Sequence, residues 1–241
     1  MSSKKIIFIL IQTSLSLLLL NCSTVASNTE NTPTITTGNI HDFNAECNKA
    51  CTTPFGTKLG VNNGVIAYSN CNNSCISKTS NFIDPAHLYS GMEWQCVEYS
   101  RRWLEQVKEV KFTDVDAAYQ IWDLNTVISL NKPYQLYNFT AYPNGSSMPP
   151  KVGDLIIYAK ALPDFPYGHV GIIVNVNTTA AYADIAEQNY ANELWQKPNN
   201  YARRIKLQVN KDHYTLIDLD FDSTKKTSIG GAIVGWKRVA N

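Results

Sequence analysis

The sequence has almost no net charge. Its 21 Lys and Arg set against 20 Asp and Glu leave +1 over 241 residues, too weak a field to draw nucleic acid or an anionic membrane towards it. Histidine is scarce, with four residues, and none stands in an HExxH or other paired-ligand spacing, so neither a metal nor an organic cofactor is expected. No internal repeat is present, Gly and Pro number only 12 and 10, and 44% of the residues are hydrophobic. These values exclude a collagen-like, coiled-coil or wholly disordered chain and are sufficient for one buried core.

Long apolar runs are also missing, except at the start. Lys4 and Lys5 precede residues 6–20 (IIFILIQTSLSLLLL), and small residues follow at Thr24-Val25-Ala26. The run is short for a bilayer crossing and no stop-transfer charges follow it, so residues 1–26 read as a secretory signal. No stable membrane anchor is expected, because Asn21 stands where lipid attachment at Cys22 needs a small residue. Losing Lys4 and Lys5 would take the net charge from +1 to about −1, further from any nucleic-acid partner. Residues 27–39 (SNTENTPTITTGN) are too polar to fold alone and predict a flexible leader. Residues 40–241 then form one domain, secreted to the exterior, or to a periplasm or vacuole according to the organism. On a eukaryotic secretory path, Asn72, Asn138, Asn144 and Asn177 head N-x-Ser/Thr glycosylation triplets.

Removing Cys22 with the signal leaves five cysteines. Cys47/Cys51 and Cys71/Cys75 form two CxxxC pairs in a compartment where disulfides persist. Three pairings are open, of which Cys47–Cys75 with Cys51–Cys71 nests two antiparallel segments; a four-thiolate zinc site is the competing reading. Either way the pairs clip the N-terminal extension.

The odd cysteine is Cys96. Val97, Ser100, Leu104 and Val107 recur after it at helical spacing, placing it near a helix start, where negative charge is stabilised and a thiolate nucleophile favoured. A buried, inert thiol is the alternative. A nucleophilic cysteine needs a base. His41 lies in the polar leader, His87 in a loop-like stretch and His213 after a turn, whereas His169 heads the β-branched run Val170-Gly171-Ile172-Ile173-Val174. Pairing of that strand with the alternating segment 183–189 through a turn near Asn177 would bring Glu187 or Asn189 towards His169, to accept its N–H and set its tautomer.

Helical spacing dominates 93–130, and strand patterns follow over 154–158, 170–176, 181–186, 204–209, 214–219 and 233–239. Helices followed by consecutive strands predict an α+β fold, with N-terminal helices packed on an antiparallel β-sheet.

Three segments, Trp94-Gln95-Cys96-Val97-Glu98, Gly168-His169-Val170 and Ala186-Glu187-Gln188-Asn189, together resemble the CHAP group of cysteine- and histidine-dependent amidohydrolases and peptidases. The chain is most similar there to the amidase domains of bifunctional glutathionylspermidine synthetase/amidases. Pro54-Phe55-Gly56-Thr57, residues 64–69, Phe112-Thr113-Asp114-Val115, residues 143–146 and Gly235-Trp236 extend the resemblance over about 54–238. It implies a papain-like (NlpC/P60-like) cysteine hydrolase with Cys96 as nucleophile, His169 as base, Glu187 as orienting acid, Asn189 as accessory polar group and Arg101 at the substrate pocket. The expected activity is that of a secreted cysteine amidase or endopeptidase cutting peptidoglycan peptides or a small amide. A glutathionylspermidine-type amidase and a catalytically silent CHAP-fold binding module are the alternatives.

Overall fold

A computed structural model describes residues 47, 49–162, 165–218 and 232–240. The expected signal 1–26 and leader 27–39, with Cys22 and His41, lie outside the described residues. Two antiparallel hairpins come first, β1 (Lys58–Asn62) with β2 (Val65–Tyr68) and β3 (Ser80–Ile83) with β4 (Leu88–Met92). A helix, α1 (Cys96–Trp103), continues into a π-helical turn over Leu104–Lys108. After β5 (Val110–Lys111), a 3₁₀ turn (Ala118–Asp123) and β6 (Thr126–Ser129) come β7 (Leu136–Pro143), β8 (Leu155–Tyr158), β9 (His169–Asn177) and β10 (Tyr182–Ala186). The last strands are β11 (Arg203–Asn210), β12 (His213–Ile217) and β13 (Ile233–Val239). The nine strands from β5 onward make one antiparallel sheet in the order β12-β11-β10-β9-β8-β13-β7-β6-β5.

The strand period of two explains the core. In β8 (LIIY) all four residues are buried. Leu155 and Ile157 join Val170, Ile172 and the α1 residues Tyr99 and Trp103 in one apolar cluster. Ile156 and Tyr158 face the opposite cluster of Ile173, Ile185, Leu207 and Trp236. A strand covered on both faces must be apolar throughout, whereas β11 lies nearer the edge and alternates buried with exposed residues over Arg203–Gln208.

The helical expectation over 93–130 holds only for its first part. Glu109 adopts a left-handed backbone (φ 55) and its N–H bonds the Leu104 carbonyl, which ends the helical stretch. Val127 and Ser129 are then buried at alternating positions, a strand period at the sheet edge rather than a helix face. The expected set of N-terminal helices is therefore corrected, among the described residues, to one α-helix with two hairpins and a 3₁₀ turn.

Cys47–Cys75 and Cys51–Cys71 are disulfide-bonded in the nested arrangement. With all four sulfurs oxidised, no thiolates are left for the zinc reading. Cys96 is the free cysteine among the described residues.

Gly168, just before β9, carries φ +63, and a Cβ there would sit 2.5 Å from the Tyr158 carbonyl oxygen and 3.1 Å from Tyr119 Cβ. Both conditions demand glycine. Gly168→Ala should lose about 2 kcal/mol or more of stability and disturb His169 beside it. A denaturant midpoint equal to wild type would refute this.

Candidate active site

Cys96 is the first residue of α1, preceded by Gln95 with extended backbone (φ −78, ψ 157). The first turn of a helix has N–H groups without intrahelical acceptors, so this terminus favours negative charge at Cys96. The helix is wedged between β9 and β4, and Cys96 is only 8% exposed.

His169 opens β9, directly across from Tyr158 of β8, and is 1% exposed. Strand β10 runs antiparallel to β9, with a register irregularity between Asp184 and Ile185 and with Ala186 opposite Ile172. The chain then carries Glu187 past Gly171, whose missing side chain matters: a Cβ there would lie 3.2 Å from Glu187 Cβ and 2.8 Å from Ile185 Cγ2. In this position Glu187 Oε2 lies 2.9 Å from His169 Nε2. A carboxylate only accepts, so Nε2–H donates, which leaves Nδ1 as the imidazole's proton acceptor.

Burial by itself drives the imidazole towards its neutral form. The hydrogen bonds and charges of Cys96 and Glu187 together outweigh that and push His169 up to about 9. Burial likewise raises Glu187, but the Arg203 guanidinium and the His169 bond prevail and hold its carboxyl below the usual range. The rings of Tyr158, Phe165 and Tyr190 surround the imidazole at 5.5, 6.1 and 5.1 Å between centroids. In such a poorly solvated setting these interactions are stronger than they would be in water.

The remaining site expectations sort differently. Asn189 hydrogen-bonds other side chains: its Nδ2 donates to Gln95 Oε1 at 2.8 Å and its Oδ1 accepts from Asn70 Nδ2 at 3.0 Å. Arg101 is 2% exposed and bonds the Ser90 carbonyl, the Thr113 carbonyl and Asp114 Oδ1. These contacts do not join it to Cys96, His169 or Glu187.

Several positioning groups were not singled out from sequence. Gln188 Nε2 donates to the Gln95 carbonyl and to Glu98 Oε2, tying the segment after Glu187 to α1. Glu98 is buried but saturated by Arg102, Ser90, Asn81 and Gln188. Asn70, next to the Cys51–Cys71 disulfide, accepts from the Trp94 backbone N–H and the Gln95 side-chain Nε2 and donates to Asn189 and the Cys75 carbonyl. The clip therefore hydrogen-bonds the residues that lead into Cys96. Trp195 Nε1 donates to the Glu187 carbonyl at 3.1 Å.

A buried cysteine at a helix start and a strand-borne histidine over an antiparallel sheet are consistent with a papain-like fold. Within that class the chain carries a CHAP domain: the model of that family matches residues 87–189, a span holding Cys96, His169, Glu187 and Asn189. The chain is 31% identical over 191 residues to the bifunctional glutathionylspermidine synthetase/amidase of Escherichia coli (strain K12), covering 76% of this chain and 29% of that protein. It is 34% identical over 172 residues to the trypanothione synthetase of Crithidia fasciculata, covering 71% of this chain and 25% of that one. The glutathionylspermidine synthase of Crithidia fasciculata is 30% identical over 132 residues. The chain thus spans less than a third of the length of these relatives.

Proposed function

We propose that the protein is a cysteine amidase that hydrolyses an amide bond of a glutathionyl–polyamine conjugate or a similar small amide. The buried His169–Glu187 hydrogen bond, with the free Cys96 thiol acting on the same imidazole, is the observation that carries the reading. His169 Nδ1 takes the Cys96 proton and the thiolate attacks the amide carbonyl carbon. The tetrahedral oxyanion is held by the Cys96 backbone N–H at the helix start. The imidazolium then protonates the amine nitrogen as the C–N bond breaks, leaving a thioester. Water, deprotonated by His169, attacks the thioester; the thiol regains a proton and the acid departs. Glu187 accepts the hydrogen bond from Nε2–H throughout, staying ionised, and so keeps Nδ1 available for transfer.

The relatives' names favour a glutathione-conjugate substrate over peptidoglycan. The secretory signal at 1–26 belongs to the same proposal and is supported by the two disulfides, which persist in oxidising compartments. The test is incubation of the disulfide-intact protein with glutathionylspermidine and, separately, with purified peptidoglycan. Release of spermidine by wild type but not by Cys96→Ala is the expected result. New amino groups from peptidoglycan alone would move the substrate to the cell wall, and turnover of neither would favour a silent binding module.

A further inference from the structure

We propose that Arg203, which lies outside the matched CHAP span, is a positioning residue that holds Glu187 as an ionised acceptor on His169 and thereby makes the Cys96 thiolate available at neutral pH. The inference rests on the reading of Cys96 and His169 as the reacting pair.

Arg203 is the first residue of β11. Strand β11 pairs with β10, Ile185 opposite Arg203, so the guanidinium emerges beside the residue that follows β10, which is Glu187. Its Nε donates to Glu187 Oε1, and one terminal nitrogen also reaches Glu187 Oε2 at 3.3 Å. Both carboxylate oxygens are thereby oriented, with Oε2 shared between Arg203 and His169 Nε2.

The guanidinium is itself fixed on every side. It donates to Asp218 Oδ2 at 2.6 Å and to the Tyr158 hydroxyl at 2.7 Å, and it lies 3.7 Å over the Tyr190 ring. Tyr190 in turn donates its hydroxyl to Asp218. Tyr158 and Tyr190 also flank the imidazole, so the same two rings cage both the histidine and the arginine that sets its acid.

Among the described residues, the groups that bear on the charge of this cluster include Cys96 and Tyr99 from α1, Tyr158 from β8, His169 from β9, Glu187 and Tyr190 after β10, and Asp218 after β12. Arginine does not lose its proton here, so it is a permanent positive charge opposite two carboxylates. If that charge is removed, Glu187 loses the guanidinium that holds both of its oxygens, and its carboxylate and the Cys96 thiolate both bear on the one imidazolium of His169. A poorly solvated group of that composition holds an additional proton, and the thiolate appears only at higher pH.

The experiment measures the rate of Cys96 alkylation by iodoacetamide, by mass spectrometry of the disulfide-intact protein, from pH 5 to 10. It compares wild type with Arg203→Lys, Arg203→Gln and Arg203→Met, and each variant is checked for folding by circular dichroism and thermal melting. Wild type should react readily at neutral pH. Arg203→Gln and Arg203→Met should react about tenfold or more slowly at pH 6.5, recovering above pH 8, while Arg203→Lys should stay close to wild type. Gln keeps hydrogen-bonding groups, so it tests charge even where Met fails to fold.

A folded Gln or Met variant with the wild-type profile overturns the proposal and leaves the reading of the reacting pair intact. Failure of both to fold while Lys folds also overturns it, since Arg203 would then serve the fold alone. A wild-type protein whose Cys96 reacts only as an ordinary thiol would instead overturn that reading, and this inference with it.

Discussion

Cys96→Ala is expected to abolish the proposed amide hydrolysis, by about ten-thousand-fold or more, and to leave the protein folded. Two features set these expectations. Cys96 is the only group of the site able to form the thioester on which both chemical steps depend, so residual turnover would come from binding and oxyanion contacts alone. Its side chain, however, is small and sits at the end of α1, so truncation removes about one methylene equivalent of buried surface, worth ~1 kcal/mol. Activity is to be measured as release of free amine, and stability as the midpoint of thermal unfolding. Retention of even a tenth of the wild-type rate would remove Cys96 from the chemistry.

Glu187→Gln is the second large effect, and it is read from pH as well as rate. In the wild type the imidazolium persists up to about 9 because Cys96 and Glu187 outweigh the opposing effect of burial. Departure of the amine needs that proton, so kcat/KM should fall as pH climbs past about 9. Gln keeps the shape but loses the charge. His169 then holds its proton less tightly, the alkaline limb moves to lower pH, and the rate at the optimum drops by roughly a hundred- to ten-thousand-fold.

The same residue links pH to stability. His169 is raised in the folded state, so its contribution to stability is complete below its ordinary value of 6.5 and is lost as pH rises towards 9. Glu187→Gln should shrink this dependence. A Gln variant whose pH–rate profile overlays wild type would show that Glu187 does not govern His169.

Much of the site was legible in the sequence because it lies at element ends that local patterns mark. The helical recurrence after Cys96 and the β-branched run after His169 place each at the head of its element, and the alternation leading to Glu187 shows a strand that ends in polar residues. The late strands were legible for the same reason: an apolar run such as β8 and the alternation of β11 follow from burial on two faces or one. The stretch after Glu109 was misread because a left-handed residue can end a helix while apolar spacing goes on looking helical.

Arg203, Asn70 and Gln188 carry no such mark. On sequence, Arg203 is one of two adjacent arginines at a strand start, yet Arg203 is buried on Glu187 while Arg204 bonds Asp184 from a half-exposed position. Only the pairing of β10 with β11, and the face each side chain takes, separates them. The nested disulfides likewise became definite once hairpin β1–β2 and the loop after it were folded back against Gln95.

By itself, then, the sequence determined the family, the cysteine and histidine set at the ends of their elements, and the sheet-forming segments from 154 onward but not β5, β6 or β7, since these depend on residue type and short-range period. Only the tertiary structure decided which polar groups meet: Arg203 with Glu187, Asn189 with Gln95, and Arg101 with Asp114. Those contacts join segments up to 94 residues apart, and their outcome depends on strand register and on the burial that forces each charge to find a partner.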